Sequence, residues 1–166
     1  MDKLQTKQEL LAKLTALTSV PDDNNIYLKE KVKKALLKSP ELLYAFHNLD
    51  LEDTELFNPD GTINYTGDWS MYYGEEGNIH PHFYLPNTQD KVRHHLCFKT
   101  EFTDIPKYNQ IMCYMNVTFL VMVDVRDAID PLTGITRHDL IGSILRERFN
   151  WSNIFGAHCY IVSDKE

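Results

Sequence analysis

Leucines repeat at helical spacing from the first residues of the chain. Leu4, Leu10, Leu11, Leu14 and Leu17 predict a helix over residues 3–18. Pro21 and the polar run Asp22–Asn25 end it. A second helix is expected over 26–38, with Ile26, Val32, Leu36 and Leu37 on one face and a row of lysines on the other. Ser39-Pro40-Glu41 reads as a break and restart, because Ser caps a helix and Pro fits its first turn. A short third helix, ELLYAFHNL, follows.

The period then changes from helical to alternating. Residues 92–102 predict a strand with Val92, His94, Leu96, Phe98, Thr100 and Phe102 on one face and Arg93, His95, Cys97, Lys99 and Glu101 on the other. Residues 109–126 predict a longer one. Ile111, Cys113, Met115, Val117, Phe119, Val121, Val123 and Val125 share a face, and Met112, Tyr114, Leu120 and Met122 make the other partly apolar. Asp130-Pro131-Leu132-Thr133-Gly134 is a turn. A helix over 136–149 follows, with Thr136 as N-cap, Asp139 in its first turn and Leu140, Ile141, Ile144, Leu145 and Phe149 as its buried stripe. A last short strand is expected at 157–162. The fold class is therefore α+β: N-terminal helices, then a small antiparallel β-β-α-β sheet with a packed helix.

Between these halves, residues 50–90 carry turn signals and six closely spaced rings, Tyr65, Trp69, Tyr72, Tyr73, Phe83 and Tyr84. So many rings argue for an ordered loop that docks on the core or on a partner. Length and composition fit one domain over 1–166: a helical segment 1–49, the acidic, aromatic-rich loop 50–90 and an α+β core 91–166.

Charge sharpens the division. Residues 1–40 hold eight lysines against five acids, whereas 41–90 hold ten acids and no Lys or Arg, within a net charge of −7. The middle block repels a nucleic-acid backbone, which argues against sequence-specific nucleic-acid binding. The three cysteines, Cys97, Cys113 and Cys159, lie in apolar strand patterns and read as free buried thiols of a reducing compartment. The N-terminal stretch lacks the unbroken apolar core of a signal peptide, and no run is long enough to span a membrane.

Candidate chemistry is sparse. His80, His82, His94, His95 and Cys97 are the best metal-ligand candidates, and His95 and Cys97 share a strand face. No HExxH, CxxC or CxxC…HxxxH spacing accompanies them, so they read as ordinary hydrogen-bonded or exposed side chains; a small zinc enzyme using His80, His82, His95 and Cys97 is the alternative. His138 and Asp139 point about 100° apart on a helix and form no oriented dyad. Arg137 reads as a solvated side chain, or as a fork reaching a neighbouring chain's carboxylate. No GxSxG, P-loop, GxGxxG or EF-hand order is present. No catalytic, metal or cofactor residue is assigned, and the expectation is a protein that binds other subunits rather than an enzyme. Trp, Tyr and Arg dominate interface hot spots, which singles out Arg137, Arg146, Arg148, Trp151, Trp69, Tyr72 and Tyr73 as contact candidates. An acidic regulatory or inhibitory binding module is a further alternative, motivated by 41–90.

From about 109 to 162 the order is a long apolar strand, a turn, Gly134-Ile135-Thr136-Arg137-His138-Asp139-Leu140-Ile141, a short helix, Phe149-Asn150-Trp151-Ser152-Asn153-Ile154-Phe155-Gly156 and a final strand. This resembles the tail-completion, or head–tail joining, proteins at the neck of tailed bacteriophages. Lys34–Leu49 is similar to phage neck proteins as well. The resemblance covers roughly the C-terminal third and that short stretch; the 50–90 loop departs from shorter family members. It implies a non-enzymatic virion component made in the host bacterial cytoplasm. Such a chain forms a ring with copies of itself, between the head's connector and the tail tube. DNA passes nearby, and no cofactor or membrane is involved.

Overall fold

The computed structural model describes residues 6–17, 24–84, 91–102 and 115–154. The final strand expected at 157–162, residues 109–114 of the long strand, Cys113 and Cys159 lie outside them. The described residues form five α-helices and a three-stranded sheet, an α+β fold. The helices are α1 (Lys7–Leu17), α2 (Asn24–Leu37), α3 (Pro40–Ala45), α4 (Leu49–Leu51) and α5 (Arg137–Phe149). The strands are β1 (Ile79–His80), β2 (His95–Phe102) and β3 (Met115–Met122).

Local chemistry sets the helix starts. Thr6 and Glu9 cap α1 reciprocally, each backbone N–H donating to the other's side chain at 3.1 Å. At α5 the Asp139 N–H donates to the Thr136 hydroxyl at 3.3 Å, the cap expected from the sequence. Ser39 differs: its hydroxyl donates to Glu41 at 3.0 Å and makes no backbone cap, so the start of α3 rests on Pro40 in the first turn.

The sheet order is β1-β2-β3. β2 and β3 pair antiparallel, from His95↔Met122 to Phe102↔Met115. β1 pairs parallel with β2, Ile79 with Leu96 and His80 with Cys97. The sheet is thus mixed, which corrects the purely antiparallel expectation. Two residues are too few to show an alternating period, so β1 is hidden inside the loop. Register sends the Ile79–Leu96–Val121 row toward the helices and the His80–Cys97–Leu120 row to the opposite face. On the helix side, Leu96 and Phe98 meet Leu28, Val32 and Leu36 of α2, Leu42 and Leu43 of α3, and Ile141, Leu145 and Phe149 of α5 in one core. Phe119 bridges strand to helix, with its ring 5.2 Å from Phe149 and 6.5 Å from Phe98. Arg148 of α5 closes the end of α2 by donating to the Ala35 and Lys38 carbonyls at 3.0 and 3.4 Å.

The described part of the central segment, residues 50–84, is rich in turns, and these have a simple cause. Asp60, Asn64 and Asp68 each accept both the backbone N–H and the hydroxyl of the residue two places on, Thr62, Thr66 and Ser70. Gly61 takes φ 83° in the first of these turns. Gly77 is needed for closeness: a Cβ there would sit 2.4 Å from the Tyr72 carbonyl carbon and oxygen.

Two glycines give opposite expected outcomes. Gly77→Ala should lower stability by about 1–3 kcal/mol, since the backbone must move. Gly142→Ala, in α5 with nothing within 4 Å of the added carbon, should raise it by about 0.5–1 kcal/mol. Urea unfolding of both variants checks the pair.

Candidate functional site

Four elements converge on one carboxylate. Asp127 ends a short 3-10 turn, Val125–Asp127, after β3. Its Oδ2 accepts from His47 Nδ1 at 2.6 Å, His94 Nε2 at 3.2 Å and Arg137 Nε at 3.0 Å, and its Oδ1 accepts from Arg137 Nη2 at 3.3 Å. The Asp124 N–H donates to His94 Nδ1 at 3.1 Å, which assigns the proton to Nε2 and makes His94 a donor to Asp127. His47 reaches the carboxylate because it takes φ 46° just past the end of α3, a position that favours glycine. Arg137 Nη2 lies 3.1 Å from His47 Nδ1, and with that nitrogen's proton committed to Asp127 these two donors are held together by the acceptor they share.

Arg137 is 1% exposed. Besides Asp127 it donates to the Ala45 carbonyl at 3.4 Å and lies 3.5 Å from Asp130, whose other oxygen caps Thr133. This corrects the reading of Arg137 as a solvated side chain: the N-cap places the first residue of α5 against the core, and its fork finds carboxylates within its own chain. Burial raises the Asp127 pKa, but bonds from His47, His94 and Arg137 outweigh it and hold the group below its usual range. Burial pushes Glu52 up, against the pull of His47 and Arg137, and its Oε1 has no partner. A His–carboxylate pair is able to carry a proton, but among the described residues no nucleophile is bonded to His47.

The histidine candidates divide. His80 and His95 meet on the outer sheet face, Nε2 to Nδ1 at 3.0 Å, with the Tyr84 ring stacked on His80 at 4.5 Å. The buried Cys97 thiol accepts the Tyr84 N–H at 3.4 Å, and burial pushes its pKa up, which disfavours the thiolate. His94 points the other way, into the Asp127 network. His82 is exposed, its ring 6.4 Å from His80. Among the described residues no three His, Cys, Asp or Glu side chains converge on a metal position.

The aromatic and arginine contact candidates lie mostly inward too. Tyr72 is buried, Trp69 donates to the Glu55 carbonyl at 3.0 Å, and Tyr73 receives the Lys33 ammonium 4.6 Å from its ring centre. Arg148 spans α5 and α2. Arg146 is exposed, and Trp151 is 74% exposed at φ 56°. Asp127, His47 and Glu52 do not stand out in the sequence. The available signal is Asp124, Asp127 and Asp130 at intervals of three between an apolar strand and a helix that opens on Arg.

The model of the YomW family matches residues 30–162. The chain belongs to the YomW family. YomW is a phage-derived family of SPbeta-like prophages, so this is a phage-associated protein. No curated protein and no solved structure matches the chain. The matched span of this YomW chain contains the whole sheet, the Asp127 network and the central segment, whereas α1 precedes it. No helix among the described residues is long and apolar enough to cross a membrane.

Removing the shared acceptor leaves the buried Arg137 cation with only Asp130 as an ion-pair partner among the described residues. Asp127→Ala is expected to cost about 3–5 kcal/mol, measured by urea unfolding near neutral pH. Acid has a separate effect. Burial, with the neighbouring His95 and His82, holds His80 down at about 4, against its ordinary 6.5. Burial also lowers His94 and His95. The unfolded chain takes up these protons near pH 6.5 and the folded chain only at lower pH. Stability is thus full above that value and declines toward pH 4, by on the order of 3 kcal/mol for His80 alone. His80→Gln should flatten this limb in pH-dependent unfolding; an unchanged slope would refute the assignment.

Proposed function

We propose that this YomW-family chain is a structural subunit of the phage particle, a ring-forming protein of the neck that joins the DNA-filled head to the tail. It acts by binding copies of itself and neighbouring connector and tail proteins, with no reaction of its own. The observation that carries the reading is where the chain leaves its apolar surface. Every described side chain from Thr6 to Ala16 is exposed, with Leu10, Leu11 and Leu14 at 45–51%, while Arg137, His80, His94 and His95 are packed inside. A leucine-bearing helix in water supports an assembling subunit. Membership of a phage-derived family supports the setting, and the resemblance of 109–162 to head–tail joining proteins supports the position.

Acids on the surface suit a wall past which DNA moves. Asp53, Asp60, Asp68, Glu75 and Glu76 are exposed in a stretch with no Lys or Arg. Glu52 is not among them, because it is buried beside the Asp127 network, and Asp50 is paired with Lys91 at 2.7 Å.

The test is prophage induction with the gene inactivated, followed by electron microscopy and mass spectrometry of purified wild-type particles. The expected outcome is this chain in mature particles at fixed copy number, and separate full heads and tails in its absence. Normal joined particles without the chain would overturn the proposal. The same acids favour one other reading, a regulatory module that imitates nucleic acid, which instead expects a stable complex with a basic DNA-binding protein and no copy in particles.

A further inference from the structure

We propose that α1 is a docking arm that seats on the aromatic-acidic face of a second copy of this chain, joining subunits head to tail. The inference rests on the assembling-subunit reading and names the two surfaces that make the joint. On α1, Leu10, Leu11 and Leu14 form an apolar strip flanked by Lys7 and Lys13. An isolated helix of 11 residues is marginal in water, so α1 needs cover to persist as a helix. Among the described residues its side chains from Lys7 to Ala16 are exposed, with Leu10, Leu11 and Leu14 at 45–51%.

The complementary surface lies in the central segment. Ile63, Tyr65 and Met71 are 36%, 73% and 50% exposed. Tyr65 leans on Trp69 with ring centres 5.6 Å apart, and Trp69 is anchored to the Glu55 carbonyl, so this face is preformed. Exposed Asp60 and Asp68 sit beside it, each locked in its own turn. An apolar strip with a lysine rim thus has, on the same chain, an apolar face with a carboxylate rim. The charge blocks agree: eight lysines against five acids over 1–40, and ten acids without a Lys or Arg over 41–90. Two different surfaces that fit each other across copies make a heterologous contact, which closes into a ring when its rotation permits.

The experiment is light scattering after size exclusion on the full chain and two variants, each checked for an unchanged melting temperature. Leu10→Ala with Leu14→Ala disables the arm while keeping helix propensity, and neither leucine supports the core. Met71→Asp disables the receiving face. Each is expected to weaken self-association about a hundredfold and leave monomers. An equimolar mixture of the two should give a dimer and nothing larger, because only one intact arm and one intact face can meet. A wild-type assembly that both variants still form would overturn the docking arm while leaving the subunit reading standing. A wild-type chain that stays monomeric at all concentrations would also overturn it, and the particle experiment then judges the subunit reading separately.

Discussion

The ion pair between Asp127 and Arg137 is the constraint around which the polypeptide is arranged. It ties the turn after β3 to the start of α5 and, through His47 and His94, to the end of α3 and the start of β2. A guanidinium that is 1% exposed is tolerable only with its donors satisfied, and here two carboxylates and two carbonyls satisfy them. The geometry also explains His47. A non-glycine residue at φ 46° costs on the order of 1 kcal/mol, and the bond to Asp127 at 2.6 Å is what offsets it. The network fixes the corner at which helices and sheet meet.

A second consequence follows on the far side of the sheet. Because β2 is central, its outer face needs cover, and the segment after β1 supplies it by laying Tyr84 over His80 and Cys97. Beneath Tyr84 lie the His80 and His95 imidazoles, whose charged forms burial disfavours. Their shared bond holds only while one nitrogen donates and the other accepts, so a proton on either is opposed by burial and by its neighbour. A His80 Nδ1 without a partner is better left as a bare acceptor than as a stranded donor. That places the shared proton on His80 Nε2.

Periodicity makes α2, β2, β3 and α5 legible, including the inward face Met115, Val117, Phe119 and Val121, because each repeats its pattern over several turns or pleats. It fails where tertiary contact decides. β1 has two residues and exists only through its pairing with Leu96 and Cys97. Arg137 reads as solvated until the chain brings Asp127 to it across ten residues and His47 across ninety. Glu52 reads as one of a run of surface acids, yet the backbone widens into a π-type turn over Glu52–Leu56 and rotates it inward. The contact candidates rest on residue type, and type alone does not distinguish an interface tryptophan from one that anchors a loop, as Trp69 does.

These placements amount to an inversion of the usual distribution. Arg137, His80, His94 and His95 are inside, while Leu10, Leu11, Leu14, Val125 and Leu132 are outside. Buried polar groups favour one arrangement over others when they are satisfied, and the Arg137 guanidinium is satisfied by residues far apart in sequence. Leu10, Leu11 and Leu14 remain exposed among the described residues. On the proposed subunit reading, the contacts fall to that exposed strip and to the acids of residues 41–90, a stretch without Lys or Arg.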